Sequence, residues 1–231
     1  MIELHQFAAV DGVNMSPFCA KVETYLRLRR LPYRVVADPP FKGPKGKLPF
    51  IVDGDRTIAD SGDIIAHLEA TRPGALDAGL GVEEKAVAHL VRRTLEESLY
   101  FAMLHDRWAI DANWPRTRDG LFAAIPAAVR PLITGLIRRK IRRDLKGQGT
   151  GRHGDGEVQR RGIADLEAVA TVLGERDFLV ADRPTVIDVT LHAFVDNLLR
   201  GGYAGPLRDA ARASAGLVAH HGRMTALLDA A

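Results

Sequence analysis

The sequence predicts a two-domain protein in which a small α/β domain is followed by an all-α domain. Strand-like and helix-like segments alternate up to residue 72, with hydrophobic periods near two and near 3.6 residues. A glycine-rich stretch at residues 73–81 follows, and the chain after it carries only helical periodicity. We therefore expect residues 1–72 and 82–231 to form the two domains and residues 73–81 to link them.

The elements of the first domain follow from hydrophobic spacing and turn signals. The predicted order is a strand at residues 2–7, a helix at 16–30, a strand at 33–37, a hairpin at 48–52 and 57–59, and a helix at 61–71. Asp53-Gly54-Asp55 supplies the hairpin turn, because Asp-Gly pairs adopt the positive φ angles of tight turns. The prolines and glycines of residues 38–46 exclude a long helix there, so we expect a loop or a single turn.

The second domain shows only helical patterns. Apolar residues recur at helical spacing over residues 87–99, 129–137, 163–173, 189–198 and 217–228. Thr185 and Asp188 stand three residues apart just before the fourth of these segments, which is the spacing of a capping box. We therefore expect both residues to be structural.

Composition favours a globular protein in a reducing compartment. The chain has 231 residues and a formal net charge of +3, and its 46% hydrophobic and 26% charged residues are ordinary for a folded protein. Its single cysteine excludes an intramolecular disulfide framework. The chain starts with a strand-like segment rather than a basic and apolar leader, and its longest apolar run is too short to span a membrane. We expect a cytoplasmic protein.

The segment Ser16-Pro17-Phe18-Cys19 combines signals for the start of a helix. Ser16 is an N-cap candidate, and Pro17 suits the first helical position, where its missing N–H costs nothing. The backbone N–H groups of Phe18 and Cys19 then lie at the positive end of the helix dipole. An anion or a thiolate would be stabilised at this position.

The same four residues resemble the C-P-F/Y-C redox motif of the thioredoxin and glutaredoxin superfamily, with Ser16 in place of the first cysteine and Cys19 in place of the second. A serine hydroxyl forms no disulfide, but it can donate a hydrogen bond to a sulfur and hold it as a thiolate. The expected role therefore shifts from thiol exchange to activation of a bound thiol. Serine-type glutathione transferases are understood to work in this way.

The chain as a whole resembles the glutathione transferase superfamily, which implies a thioredoxin-like N-terminal domain and an all-helical C-terminal domain. The motifs that carry the resemblance are the serine at the first helix, Leu48-Pro49 before the hairpin, Asp60-Ser61 before the next helix, and Pro184-Thr185 with Asp188 in the helical domain. Segments within residues 16–33, 44–49 and 149–153 are similar to the metaxin and failed-axon-connections branch. Some eukaryotic members of that branch are linked to protein import or axon development rather than to detoxification.

The resemblance also implies where glutathione binds. Pro49 takes the place of the superfamily's cis-proline, and the backbone of Leu48 pairs with the cysteinyl part of glutathione as an added strand would. Ser61 and the N-terminus of its helix receive the γ-glutamyl carboxylate, and Asp60 helps to receive the ammonium group. The resemblance places the hydroxyl of Ser16 next to the glutathione sulfur. The remaining expected substrate-binding residues are Phe18 and Lys47.

Three functions of different class stay open at this level. The first is a serine-type glutathione S-transferase that conjugates glutathione to a small apolar electrophile and forms, as the resemblance implies, a homodimer. The second is a glutathione thiol transferase or lyase that depends on Cys19. The third is a non-catalytic binding or interaction module, which the metaxin resemblance permits. For Ser16 and Ser61, helix capping alone is the alternative interpretation.

Other patterns predict no further ligand. Tyr100 and Trp108 lie in the region that walls the electrophile pocket in this superfamily, although aromatic core packing explains them equally well. Residues 149–154 match G-x-G-x-x-G, but no strand precedes them, so we expect a loop between helices. The basic residues between 138 and 146 are expected to form a solvated helix face without nucleic acid, with an anionic-substrate rim or a membrane contact as the alternatives. The histidines and the single cysteine lack metal-binding spacing, so no metal is expected.

Overall fold

Within residues 1–230, which the computed structural model describes, four strands form one mixed sheet in the order β2-β1-β3-β4. The strands are β1 (Ile2–Gln6), β2 (Tyr33–Ala37), β3 (Phe50–Asp53) and β4 (Arg56–Ala59). β1 runs parallel to β2 and antiparallel to β3, and β3 and β4 form the predicted hairpin. The connection from β2 to β3 contains a short helical turn at Pro40–Lys42, as its proline content predicts.

Two helices pack with this sheet. α1 (Pro17–Leu28) connects β1 to β2, and α2 (Ser61–Thr71) follows β4. The apolar side chains of the sheet and both helices form one buried cluster, which includes Ile2, Leu4, Val22, Leu26, Ile51, Ile64 and Leu68. Val189 and Met224, from the helical part of the chain, belong to the same cluster. The first domain therefore shares its core with the second.

The rest of the chain is helical, as predicted. Its helices are α3 (Val82–Arg93), α4 (Tyr100–Trp108), α5 (Trp114–Leu121), α6 (Arg130–Gln148), α7 (Asp155–Leu173), α8 (Val186–Arg200), α9 (Pro206–Ala213) and α10 (Ala215–Asp229). A π-helical turn at Thr94–Leu99 joins α3 to α4 without a break. The fold class predicted from the sequence, an α/β domain followed by an all-helical one, is confirmed.

α8 is the central helix of the second domain, and it packs against α1, α3, α9 and α10. Its N-terminus carries the predicted capping box: the backbone N–H of Thr185 donates to Asp188 Oδ2 at 2.9 Å. Asp188 Oδ1 accepts a further hydrogen bond from the backbone N–H of Leu179 at 2.8 Å. Both Thr185 and Asp188 are fully buried. The structure therefore assigns them the structural role that the spacing predicts.

α6 contains the helix predicted from residues 129–137, but the apolar residues that predict it do not form its buried face. Leu132 and Leu136 are 70% and 63% exposed, whereas the buried residues of α6 are Thr134 and Leu145. A helical period shows which residues share a face, but burial depends on which neighbouring helix covers that face. Most of the basic residues between 138 and 146 are exposed, as expected; these are Arg139, Lys140, Arg142, Arg143 and Lys146. Arg138 departs from the expectation, because its guanidinium is half-buried and donates to the carbonyl oxygens of Trp108 and Ala109.

Candidate active site

Ser16 lies at the N-terminus of α1 and caps it, as predicted. Its backbone is extended, with φ −96° and ψ 115°, and its Oγ accepts a hydrogen bond from the backbone N–H of Cys19 at 3.3 Å. Pro17 occupies the first helical position. The Ser16 side chain is partly exposed. Because Oγ acts as an acceptor in the cap, its own proton stays available for donation to a bound group.

Asn14 holds the loop that leads to Ser16. Its side-chain amide donates to the carbonyl oxygen of Phe7 at 2.9 Å, and its Oδ1 accepts from the backbone N–H of Ser16 at 3.0 Å. The carbonyl oxygen of Asn14 in turn accepts from Asn197 Nδ2 at 3.1 Å. Asn14 and Asn197 are buried. The position of Ser16 is therefore set from both domains, which no local sequence signal indicates.

Arg107 of α4 is a second buried support of this loop. Its guanidinium donates to the carbonyl oxygen of Met15 and to Asn197 Oδ1, and it lies 4.8 Å from the ring centroid of Tyr203. Within residues 1–230 no carboxylate lies within 4.0 Å of it. Burial opposes the charge and lowers the pKa of Arg107. Carbonyl oxygens and an aromatic face therefore replace the usual anionic partner.

Cys19 is fully buried beneath Ser16, where it packs against Leu48 and Phe50. Burial raises the pKa of the thiol to about 11, against the opposing effect of the Ser16 hydroxyl. A thiol with this pKa is almost entirely protonated at neutral pH. The geometry therefore favours Ser16 over Cys19 as the residue that meets a ligand.

The Leu48-Pro49 pair lies beside this helix end. The peptide bond between Leu48 and Pro49 is cis, as the resemblance implies. Within residues 1–230 no hydrogen bond engages the backbone of Leu48. The preceding Lys47 is exposed. The N–H and C=O of Leu48 can therefore pair with the backbone of a bound peptide.

Asp60 and Ser61 begin α2 next to the same turn. The backbone N–H of Asp60 approaches the carbonyl oxygen of Pro49 at 3.4 Å. Asp60 has a positive φ of 87°, and its Oδ1 caps α2 by accepting from the backbone N–H of Gly62 at 3.1 Å. Ser61 is only 3% exposed, and its hydroxyl has no hydrogen-bond partner in the described part of the chain. The fold therefore brings the three predicted motifs to one corner of the molecule.

The predicted aromatic residues have different surroundings. The ring of Phe18 makes edge contacts with Tyr100 at 4.8 Å and Phe194 at 5.8 Å, so it anchors α1 to the helical domain. Tyr100 is half-buried. Trp108 is 7% exposed and lies 5.6 Å from the ring of Trp114. This environment matches the core-packing interpretation of Trp108.

A cleft that the sequence analysis did not predict lies between the loop after β1 and α5. Its volume is about 650 Å³. The lining is mostly small and apolar, with Phe7, Ala8, Ala9, Val10, Leu121 and Ala124. Arg116 and Asp119 add charge at its edge. Phe7, on its wall, and Ser16 are both hydrogen-bonded to Asn14, which links the cleft to the start of α1.

The remaining patterns of the sequence lie in the helical domain or bear on metals and membranes. Residues 149–154 contain a short helical turn, Thr150–Arg152, between α6 and α7, as expected for a loop between helices. In the described residues no group of three or more His, Cys, Asp or Glu side chains is placed to hold a metal ion. No helix there is both long and apolar enough to cross a membrane.

The sequence matches two family models. The glutathione S-transferase N-terminal domain matches residues 17–114, and the glutathione S-transferase C-terminal domain matches residues 162–224. A solved glutathione S-transferase from Methylobacillus flagellatus, with glutathione bound, superimposes with a TM-score of 0.65 over 98% of both chains. At 15% identity this likeness concerns the fold.

Two known proteins are similar in sequence over most of the chain. The isoprene-epoxide–glutathione S-transferase of Rhodococcus sp. (strain AD45) is 32% identical over 203 residues, which cover 84% of this chain and 84% of the relative. Failed axon connections of Drosophila melanogaster is 31% identical over 222 residues, which cover 90% of this chain and 53% of that protein. The chain therefore spans about half the length of this second relative.

Proposed function

Because the chain belongs to the glutathione S-transferase family, we propose that it binds glutathione on its first domain and conjugates the sulfur to a small apolar electrophile. The observation that carries the proposal is the partly exposed Ser16 at the N-terminus of α1, whose hydroxyl proton is available to a ligand. The backbone of Leu48 and the hydroxyl of Ser61, neither of which has a hydrogen-bond partner within residues 1–230, support the same site.

In the proposed reaction the hydroxyl of Ser16 donates a hydrogen bond to the glutathione sulfur and stabilises its thiolate. Lowering the thiol pKa by about two units requires roughly 2.7 kcal/mol of preferential stabilisation. A charge-assisted hydrogen bond and the positive helix end, with the N–H of Phe18, supply energies of this order. The buried Arg107, which is bonded to the residue before Ser16, adds positive potential in the same region.

The rest of glutathione binds along the corner formed by the other two motifs. The backbone of Leu48, next to Pro49, pairs with the cysteinyl residue. The hydroxyl of Ser61 and the N-terminus of α2 receive the γ-glutamyl carboxylate, and Asp60 receives its ammonium group. Lys47 is exposed beside this corner and is placed to meet the glycyl carboxylate.

The electrophile binds in the apolar cleft between residues 7–11 and α5. The Rhodococcus relative is named for an isoprene epoxide, and we propose an electrophile of that kind, small and apolar, for this chain. The thiolate attacks an epoxide carbon, the S–C bond forms as the C–O bond breaks, and the released alkoxide takes up a proton from water. Tyr100 and Trp108, the residues expected at the electrophile pocket, are not among the residues that line this cleft; Tyr100 contacts Phe18, and Trp108 contacts Trp114.

The first test is a thermal-shift titration with reduced glutathione and with S-methylglutathione. Ligand at about a hundred times its dissociation constant adds about 2.7 kcal/mol, enough to raise the unfolding midpoint by several degrees. We expect saturable shifts with both compounds. A shift with glutathione alone would show that the site requires the free thiol, and no shift at millimolar concentration would contradict the proposal.

A non-catalytic binding module is the second candidate function, and the 31% identity with Failed axon connections favours it. Glutathione binding without turnover across a panel of epoxides would support it over conjugation. The Cys19-dependent thiol transferase receives no comparable support, because the thiol is buried and protonated.

We also propose that the protein acts as a cytoplasmic homodimer in detoxification. The superfamily resemblance supports the dimer, and the single buried cysteine is compatible with a reducing compartment. Sedimentation equilibrium of the purified protein tests the dimer, since one species near 25.2 kDa would contradict it.

A further inference from the structure

Arg92, in the last turn of α3, lies against the first turn of α2. Gly62 is the second residue of α2, and a Cβ added there would lie 3.4 Å from Arg92 Nη1. A side chain at position 62 would therefore be in van der Waals contact with the guanidinium. Arg92, Gly62 and Lys21 line the same interdomain cleft, which has a volume of about 310 Å³. The helical domain thus places a cation beside the Asp60-Ser61 corner.

A bound anion would stabilise this placement. The N-terminus of a helix carries a partial positive charge, so a guanidinium beside it is repelled. Within residues 1–230 no carboxylate lies within 4.0 Å of Arg92, and its one hydrogen-bond neighbour is His89 Nδ1 at 3.5 Å. The carboxylates of this helix end have other contacts: Asp60 Oδ1 accepts from the N–H of Gly62, and Asp63 pairs with Lys45. The unpartnered hydroxyl of Ser61 adds a third donor to the same space.

The other buried and half-buried charges of the cleft have partners, and Lys85, which also lines it, is exposed. Lys21 is 1% exposed, and its Nζ pairs with Glu96 Oε1 at 2.6 Å. At the far end, Glu69 accepts from the backbone N–H groups of Leu76 and Asp77, and Asp77 accepts from the N–H of Val186. Within residues 1–230, Arg92 is therefore a half-buried cation of this cleft with no carboxylate within 4.0 Å.

We propose that Arg92 binds the α-carboxylate of the γ-glutamyl group of glutathione and makes the site selective for thiols that carry this carboxylate. The inference rests on the proposed binding of glutathione and adds a residue from the helical domain to it. A guanidinium can grip both carboxylate oxygens at once, while Ser61 and the helix N-terminus hold the same group from the other side. Thiol peptides that lack the α-carboxylate would leave Arg92 unpaired.

The test compares two ligands and two variants by titration calorimetry of the full-length protein. The ligands are reduced glutathione and 4-aminobutyryl-cysteinylglycine, which lacks only the α-carboxylate. The variants are Arg92→Gln and, as matched control, Arg93→Gln; Arg93 is the next residue and is exposed, with Nη1 3.0 Å from Glu97 Oε1. We expect Arg92→Gln to weaken glutathione binding about 10- to 100-fold and binding of the analogue less than about threefold. Arg93→Gln should bind both ligands as the unchanged protein does.

Each contrary outcome has a distinct meaning. If Arg92→Gln binds glutathione as tightly as the unchanged protein, or if it loses equal affinity for both ligands, the assignment of Arg92 is wrong. An equal loss in Arg93→Gln would also overturn it, because the effect would then be general charge attraction. If the unchanged protein binds neither ligand, the proposed function fails, and this inference fails with it. If Arg92→Gln does not fold, Arg92→Lys is the second variant. It keeps the positive charge but cannot bond both carboxylate oxygens at once, so it should weaken glutathione binding about 3- to 10-fold.

Discussion

The buried guanidinium of Arg107 donates a hydrogen bond to the carbonyl oxygen of Met15, the residue before Ser16. A second hydrogen bond, to Asn197 Oδ1 at 3.1 Å, ties the same guanidinium to α8. The start of α1 is thus held by the helical domain and not only by its own sheet. This link connects the stability of the interdomain core to the position of the proposed catalytic hydroxyl.

Arg107→Lys should destabilise the protein by about 1–3 kcal/mol, because an ammonium group cannot reach both acceptors and leaves one buried oxygen unpaired. Urea unfolding followed by circular dichroism measures this change. Arg118→Lys is the control: Arg118 bonds to the neighbouring Asp119 on the surface, so a change within about 0.5 kcal/mol is expected. Equal stability of the two variants would contradict a stabilising role for the buried hydrogen bonds of Arg107.

Ser16→Ala and Ser214→Ala should separate capping from catalysis. Ser214 caps α10 by the same side-chain bond, with Oγ accepting from the N–H of Leu217 at 3.5 Å. Each substitution should cost about 1 kcal/mol of stability. Ser16→Ala alone should lower conjugation turnover about 10- to 100-fold and raise the pKa of bound glutathione, while its dissociation constant changes little. If both variants lose the same activity, Ser16 is only a cap.

Cys19 should react slowly in the folded protein. Its thiol pKa is raised to about 11 by burial, so iodoacetamide at neutral pH should label it at least about tenfold more slowly than in urea. Cys19→Ser should keep conjugation activity within about twofold. Rapid formation of a glutathione mixed disulfide, detected by mass spectrometry, would restore the thiol transferase interpretation.

The raised pKa of Cys19 also predicts an alkaline limit of stability. The protonated thiol is favoured by the fold, so its contribution is fully present below about pH 9 and is lost as the pH rises toward 11. Cys19→Ala should lose less stability than the unchanged protein over this interval. Unfolding curves in urea at pH 8 and pH 10.5 make the comparison, and parallel losses in both proteins would contradict the prediction.

His192 should contribute to acid unfolding. It is buried and stacks on His221 at 4.8 Å, and His221 Nε2 bonds Asp196 Oδ1 at 2.9 Å. Burial, with the neighbouring His221, lowers the pKa of His192 from 6.5 to about 4. Its neutral form is favoured by the fold, so this contribution is present above pH 6.5 and is lost as the pH falls toward 4. Between pH 7 and pH 4.5, His192→Gln should lose about 2 kcal/mol less stability than the unchanged protein. His89→Gln, on the surface, is the control and should lose as much stability as the unchanged protein.

Much of the first domain and of the corner around Ser16 could be predicted from the sequence. The strand at 33–37 and the helix at 61–71 occur at the predicted residues, and Ser16 caps α1 as expected. These features depend on hydrogen bonds and hydrophobic contacts between residues close in the chain, which local spacing reports. The exposed apolar face of α6 could not be predicted in this way, because it depends on which helices lie beside it.

The sequence by itself determined the order of the elements, the helix caps and the three motifs that meet at the site. Only the tertiary structure decided that Cys19 is buried beneath Ser16, that Arg107 reaches Met15 across 92 positions of the chain, and that Arg92 faces Gly62. The physical reason is the separation along the chain of the residues that make each contact. A cap or turn is a contact of a few residues with its own energy, whereas the environment of a buried charge exists only after distant helices have packed around it.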